Sequence, residues 1–180
     1  MKRYVIEESP FSYFFTADTR SSWLWLAARL YLGWQWLEAG WGKFNNPKWI
    51  GDEAGAGMLG FVERALTKTE GAHPDVQWWY AWFLQHLVQP YPEVWAYMIT
   101  FGEILVGIAL IAGFLVGIAA FFGVFMNLNF MLAGTVSVNP IMAVLAIGII
   151  LAWRVAGYIG LDRYVLPLLH RYFRPTMRAG

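Results

Sequence analysis

The chain has 180 residues, 58% of them hydrophobic and 18% aromatic, with a formal net charge of +1 and no cysteine. Such a composition is more apolar and less charged than an ordinary globular domain and points to a membrane protein. It excludes disulfides, thiolate nucleophiles and cysteine-ligated metal centres, while the near-neutral charge, with basic residues divided between the two ends, argues against nucleic acid as a partner.

The opening, MKRYVIEESPFSYFFTADTR, carries Glu7, Glu8 and Asp18 and has neither a clean apolar core nor a small-residue cleavage site, so no cleavable signal peptide is expected. A bilayer-spanning helix needs about 20 mainly apolar residues. Four stretches qualify, over about residues 21–43, 94–115, 117–133 and 140–160. The first is interrupted by Arg29, Gln35 and Glu38, and the second carries Glu103 as its sole charge. The fourth opens on Asn139 and Pro140, a cap residue followed by proline at the first helical position, and ends before Asp162.

An even number of spans places both termini on one face. Lys2, Arg3, Arg20, Arg163, Arg171, Arg174 and Arg178 cluster at the ends, against Lys48, Arg64 and Lys68 between spans one and two. The positive-inside bias therefore makes both termini cytoplasmic in a multi-pass protein of the cell membrane. Residues 45–92 are too long for a structureless loop and are expected to fold back on the bundle. Helices are predicted over residues 58–66 and over 75–89, the latter with Asp75 as N-cap and with Trp79, Trp82, Phe83 and Leu87 on one face at headgroup level. Interfacial anchoring accounts for most of the eleven tryptophans.

After span four, Leu161, Tyr164, Val165, Leu168, Leu169 and Tyr172 recur at helical spacing opposite Arg163, His170, Arg171 and Arg174. This predicts a basic amphipathic tail on an anionic leaflet, imperfectly helical because of Pro167 and Pro175. The fold class expected is thus an all-α membrane protein. Residues 1–180 form one domain: a four-transmembrane-helix bundle, an extracytoplasmic helical insertion between spans one and two, and a C-terminal amphipathic interfacial helix.

Arg29, Glu38, Glu103 and Arg154 are the costly residues within the spans, joined by Gln35, Asn127 and Asn129. At 1.5 Å rise per residue, Arg29, Glu103, Asn127 and Arg154 fall about 9–15 Å from a membrane boundary and share a central layer. Glu38 lies nearer the far face, within reach of water or Lys43. Glu103 is expected to pair with Arg29, with Arg154 as the competitor. Gly33, Gly40, Gly107 and Gly123 permit close helix approach along the same rows. These charges either fix helix register as a buried network or act directly on a ligand or proton. His73, His86 and His170 are too scattered for a metal or haem set, and no metal site is expected. No phosphate loop, catalytic triad or dinucleotide fingerprint is present, and the lack of an inverted repeat argues against an alternating-access transporter.

Four segments, ARLYLGWQWLEAGWGKFNNPKW, FGEILVGIALIAGF, AAFFGVFMNLNFMLAGTVSVNP and LAWRVAGYIGLDRYVLP, resemble the DoxX/DoxD family. DoxD members are described as the large subunit of thiosulfate:quinone oxidoreductase, paired with a smaller DoxA subunit or domain. The resemblance implies a four-helix membrane subunit passing electrons from a sulfur donor to membrane quinone, with quinone as substrate and no covalently bound cofactor. A DoxA-like chain would be its partner. A quinone needs apolar walls, a hydrogen-bond donor and a proton route. Glu103 or Glu38 would relay protons, Arg29 or Arg154 would polarise a carbonyl, Trp36 and Trp41 would wall the ring, and Asn127 and Asn129 would add polar contacts. The alternative is a non-catalytic accessory or assembly subunit of a larger membrane energy-converting complex.

Overall fold

The computed structural model describes residues 9–173. Lys2, Arg3, Arg174, Pro175 and Arg178 of the expected basic ends lie outside the described residues. Among the described residues the fold is entirely helical. The helices are α1 (Pro10–Thr16), α2 (Ser22–Phe44), α3 (Ala56–Leu66), α4 (Trp78–Phe83), α5 (Pro92–Ala112), α6 (Val116–Leu132), α7 (Asn139–Leu151), α8 (Trp153–Ala156) and α9 (Asp162–Phe173). A tight turn over Thr19–Ser21 leads into α2, and a widened π turn over Leu84–Val88 extends α4.

α2, α5, α6 and α7 form the bundle. Packing is most extensive between α2 and α5 and between α6 and α7, and α5 meets α6 more sparingly. The α2–α5 contact is set by backbone approach. A Cβ on Gly107 would lie 2.7 Å from the Leu37 amide nitrogen, and one on Gly33 would lie 2.9 Å from the Gly107 carbonyl. Small residues let the helices approach until their backbones touch. Leu32, Trp36, Leu110, Val116, Ala146 and Ile149 fill the space between the four helices.

A second core sits at the end of the bundle that carries residues 45–91, the insertion end. Met58 and Val62 of α3 pack there with Val76, Tyr80, Leu84 and Val88. The last four recur every fourth residue and turn inward, leaving Trp78, Trp79, Trp82 and Leu87 exposed. Asp75 does not cap this helix. α4 starts at Trp78 with extended Gln77 (φ −74°, ψ 150°) at the cap position, after a bend at Asp75 and buried Val76, whose N–H donates to the Lys68 carbonyl at 3.2 Å. Phe83 turns partly inward, away from the exposed face expected of it.

At the opposite, terminal end, α1 lies against α8, with the Trp25 indole N–H donating to the Phe15 carbonyl at 2.8 Å. The predicted fourth span is divided. Ala152 leaves the helical region (φ −101°, ψ 20°) between α7 and α8. Asn139 is the first residue of α7 rather than its cap, and its side chain donates to the Thr135 carbonyl at 3.0 Å. α9 runs through Pro167 with Tyr164, Leu168 and Leu169 exposed.

The outside of the bundle is apolar. Trp23, Trp34, Leu105, Phe121, Phe125, Val144 and Leu151 are each more than half exposed. A belt of this extent is far larger than the apolar patches tolerated on soluble monomers. α5 is long and apolar enough to cross a membrane by length and composition, and α6 and α7 are shorter apolar helices.

Candidate functional site

Glu103 is paired, though not with Arg29. Its two carboxylate oxygens accept from Lys43 Nζ at 2.8 and 2.7 Å. Glu103 is 1% exposed, and the Lys43 side chain retains one-fifth of its exposure. Gly40 makes the pairing possible, since a Cβ there would stand 3.0 Å from Glu103 Cβ and 2.9 Å from the Ile104 nitrogen. Lys43 Nζ lies 5.2 Å from the Trp49 ring centre and 6.0 Å from that of Phe130, so two aromatic faces flank the ammonium.

Arg29 stands fourteen residues earlier on α2, about 21 Å away along the helix axis. It is fully buried at the terminal end, where Nη2 donates to the Ile159 carbonyl at 2.6 Å. Its guanidinium fits between Gly113 and Gly160, each of which would bring a Cβ into it. Beside it the buried Asp162 carboxylate accepts from the backbone N–H groups of Leu115 at 2.6 Å and Val116 at 2.9 Å, capping α6 from forty-six residues away. The Asp162 N–H in turn donates to the Gly113 carbonyl at 2.8 Å. The turn needs this support at Leu115, a side-chain-bearing residue held at φ 45°, whereas Gly113 takes its φ of 68° freely.

Arg154 leaves the interior altogether. It is exposed on α8, beyond the break at Ala152, with its guanidinium 5.0 Å from the Trp153 ring centre. Glu38 is also exposed, on the outside of α2. Trp41 is 58% exposed and stacks on Phe44 at 5.6 Å. Trp36 and Asn127 are buried in the bundle, and Trp36 Nε1 and both polar atoms of the Asn127 carboxamide have no hydrogen-bond partner.

A cavity of about 650 Å³ lies at the insertion end between α3, α4, α5 and α6. Its walls are aromatic and thioether side chains, among them Phe61, Phe83, Trp95, Met126 and Phe130. Met98, Phe101, Leu105, Phe122 and Phe125 line it and are exposed on the outside of the bundle, so it opens sideways along the sparse α5–α6 seam. Its polar end is Tyr80 and Asn129. The Tyr80 hydroxyl reaches the Asn129 carbonyl at 2.9 Å and Oδ1 at 3.1 Å, and Asn129 Nδ2 donates to the Phe125 carbonyl at 2.8 Å. Burial pushes the Tyr80 phenol well above its ordinary pKa, which keeps it a neutral donor.

The structure thus brings Asn129 to the cavity and places Trp36 one ring behind its wall, where it packs on Phe130 at 6.4 Å. It does not bring Glu38, Trp41, Arg29 or Arg154 there. Lys43, Tyr80 and Asp162 are the residues that the sequence reading missed. For Lys43 a signal existed, since Trp36, Gly40 and Lys43 follow one another at four- and three-residue spacing on a single helix face. No curated protein and no solved structure matches the chain. The DoxX family model matches residues 24–139, a stretch holding α3 to α6 and nearly all of α2. The chain is a membrane domain belonging to the DoxX family.

Proposed function

We propose that this DoxX domain spans the membrane four times and serves as the quinone-binding subunit of an oxidoreductase that passes electrons from a sulfur donor, thiosulfate or a related species, to membrane quinone. α2, α5, α6 and the α7–α8 pair are the spans. The insertion end is extracytoplasmic, and the terminal end, with Arg20, Arg154, Arg163 and Arg171, is cytoplasmic.

The observation that carries this reading is the cavity. Its 650 Å³, its aromatic walls and its sideways mouth suit a planar, lipid-soluble ring that arrives from the bilayer. At its polar end the second hydrogen of Asn129 Nδ2 is a donor suited to a quinone carbonyl, and the Tyr80 hydroxyl, which gives its one hydrogen to Asn129, holds that residue in place. Reduction of a quinone takes two electrons and two protons; the sulfur donor supplies the electrons, for thiosulfate two molecules that join through a new S–S bond and release one electron each. A DoxA-like partner chain would deliver them. Lys43, whose Nζ lies 6.0 Å from the ring centre of the wall residue Phe130, and its partner Glu103 are the candidates for moving protons.

Filling the cavity tests the proposal. Gly102 lines it, and a Cβ there would stand in ordinary contact with Met126 Sδ at 3.4 Å, so Gly102→Leu occupies ligand space without opening the α2–α5 contact. In lipid nanodiscs, a short-chain quinone analogue should quench the fluorescence of Trp95 in the unaltered protein, and Gly102→Leu should weaken apparent binding about tenfold or more. Unchanged quenching in that variant would remove the cavity as the quinone site.

Two observations favour the accessory-subunit reading. Both Glu103 oxygens are taken by Lys43, as in a register lock, and α4 presents Trp78, Trp79 and Trp82 outward as a docking face. Co-purification with a stable larger complex, without donor-dependent quinone reduction, would establish that alternative.

A further inference from the structure

Trp36 Nε1, Asn127 Nδ2 and Asn127 Oδ1 are buried without a hydrogen-bond partner among the described residues, in side chains that are 2% and 0% exposed. Buried polar atoms in native proteins are nearly always paired, with protein or with water. These three are not scattered. A Cβ on Gly123 would lie 3.1 Å from Trp36 Nε1, and Asn127 stands one turn beyond Gly123 on the same face of α6. The layer continues to the ion pair. Gly102 packs against Met126, Gly40 packs against Glu103, and Lys43 Nζ reaches over the ring of Phe130, one turn past Asn127.

The chemistry of these atoms selects the ligand. Trp36 offers only a donor, whereas Asn127 offers two donors and an acceptor. Whatever joins them must both accept and donate. An anion would confront Asn127 Oδ1, and a cation would confront the Trp36 N–H. Lys43 and Glu103 neutralise each other, and buried Arg29, two turns from Trp36 on α2, has the Asp162 carboxylate as its counter-charge. α6 and α7 carry no charged residue, and the remaining charge of α5, Glu93, lies in its first turn, so no net charge draws an ion inward. Water meets every requirement.

We propose that a short track of water molecules runs inside the bundle from the Lys43–Glu103 pair past the Asn127 carboxamide to the Trp36 indole. It communicates with the insertion end through Lys43. A proton that passes from Lys43 Nζ to a Glu103 oxygen leaves the pair neutral in either form, and a water that takes one proton from the pair while returning another exchanges protons with it without placing net charge in the interior. Trp49 roofs the entrance. Its indole is wedged over Lys43 where Gly57 has no room for a Cβ, which would lie 2.5 Å from Trp49 Nε1.

The test reads the indole proton of Trp36 in protein reconstituted in nanodiscs without quinone. The track and the quinone reading therefore fail separately. With tryptophan labelled at the indole nitrogen, and the Trp36 resonance assigned by Trp36→Phe, that N–H should exchange with deuterated solvent within hours despite its burial. Asn127→Leu should slow exchange about tenfold or more. Persistence of the signal for days in the unaltered protein, or the wild-type rate in Asn127→Leu, would overturn the proposal. Magnetisation transfer from water to the Trp36 indole in the unaltered protein needs no variant to fold: its presence supports the track and its absence overturns it.

Discussion

At the terminal end of the bundle, Arg29 and Asp162 are sealed at 0% and 1% exposure, and the hydrogen bonds their side chains make are to backbone: Arg29 Nη2 donates to the Ile159 carbonyl, and the carboxylate accepts from the Leu115 and Val116 N–H groups. At the insertion end, Lys43 keeps one-fifth of its side chain open and meets Glu103 under aromatic rings. The first arrangement cannot yield without unfolding, because the guanidinium occupies space that two glycine Cα atoms leave and the carboxylate closes a helix end. The second has a route to solvent and adjoins a cavity. A buried charge bonded into the backbone serves the fold, whereas a charge paired side chain to side chain with one partner still wet retains freedom to exchange protons.

Gly113→Leu should have the largest effect. The substituent would enter the Arg29 guanidinium at a position with φ 68°, and destabilisation above about 4 kcal/mol is expected, seen as loss of the folded protein in mild detergent. Asp162→Ala comes next. It strands the N–H groups of Leu115 and Val116 and removes the carboxylate beside Arg29, at a cost of about 2–4 kcal/mol by denaturant unfolding. Lys43→Met should cost less, about 1–3 kcal/mol, because water already reaches the pair. The double variant Lys43→Met/Glu103→Gln should recover most of that loss. If the Lys43 substitution proved as costly as that of Asp162, or if the double variant recovered nothing, the contrast between the two ends would disappear.

Much of the helical layout was legible. The predicted bounds of the first three spans fall within about three residues of α2, α5 and α6, because long apolar runs ended by glycine, proline or a charge leave little choice. The helix foreseen at residues 58–66 is α3 with two residues added. The break at Ala152 carried no signal, since alanine is the best helix former and a tertiary demand decided there. The site was less legible. Counting depth on each helix separately assumes that helix ends are level, but α2 runs seven residues past Arg29 to Ser22 while α5 stops at Ala112, beside that arginine. The offset moves Arg29 to the end of the bundle and hands Glu103 to Lys43. Which of two helices projects further is a property of their packing and cannot be read from either alone.

The Asp162 cap also bears on how the chain is made. Helix α6 begins at Val116, yet the carboxylate that satisfies its first amide groups is forty-six residues downstream. At about 5–20 residues per second, a ribosome needs about 2–9 s to add that length. During that interval the start of α6 has no side-chain cap from Asp162, and the turn at Gly113 and Leu115 is held by its local backbone hydrogen bonds to Ala109 and Leu110 alone. Assembly of the bundle therefore finishes from its C-terminal side, and a nascent chain arrested before residue 162 would present α5 and α6 as an unlatched hairpin to whatever machinery attends its insertion.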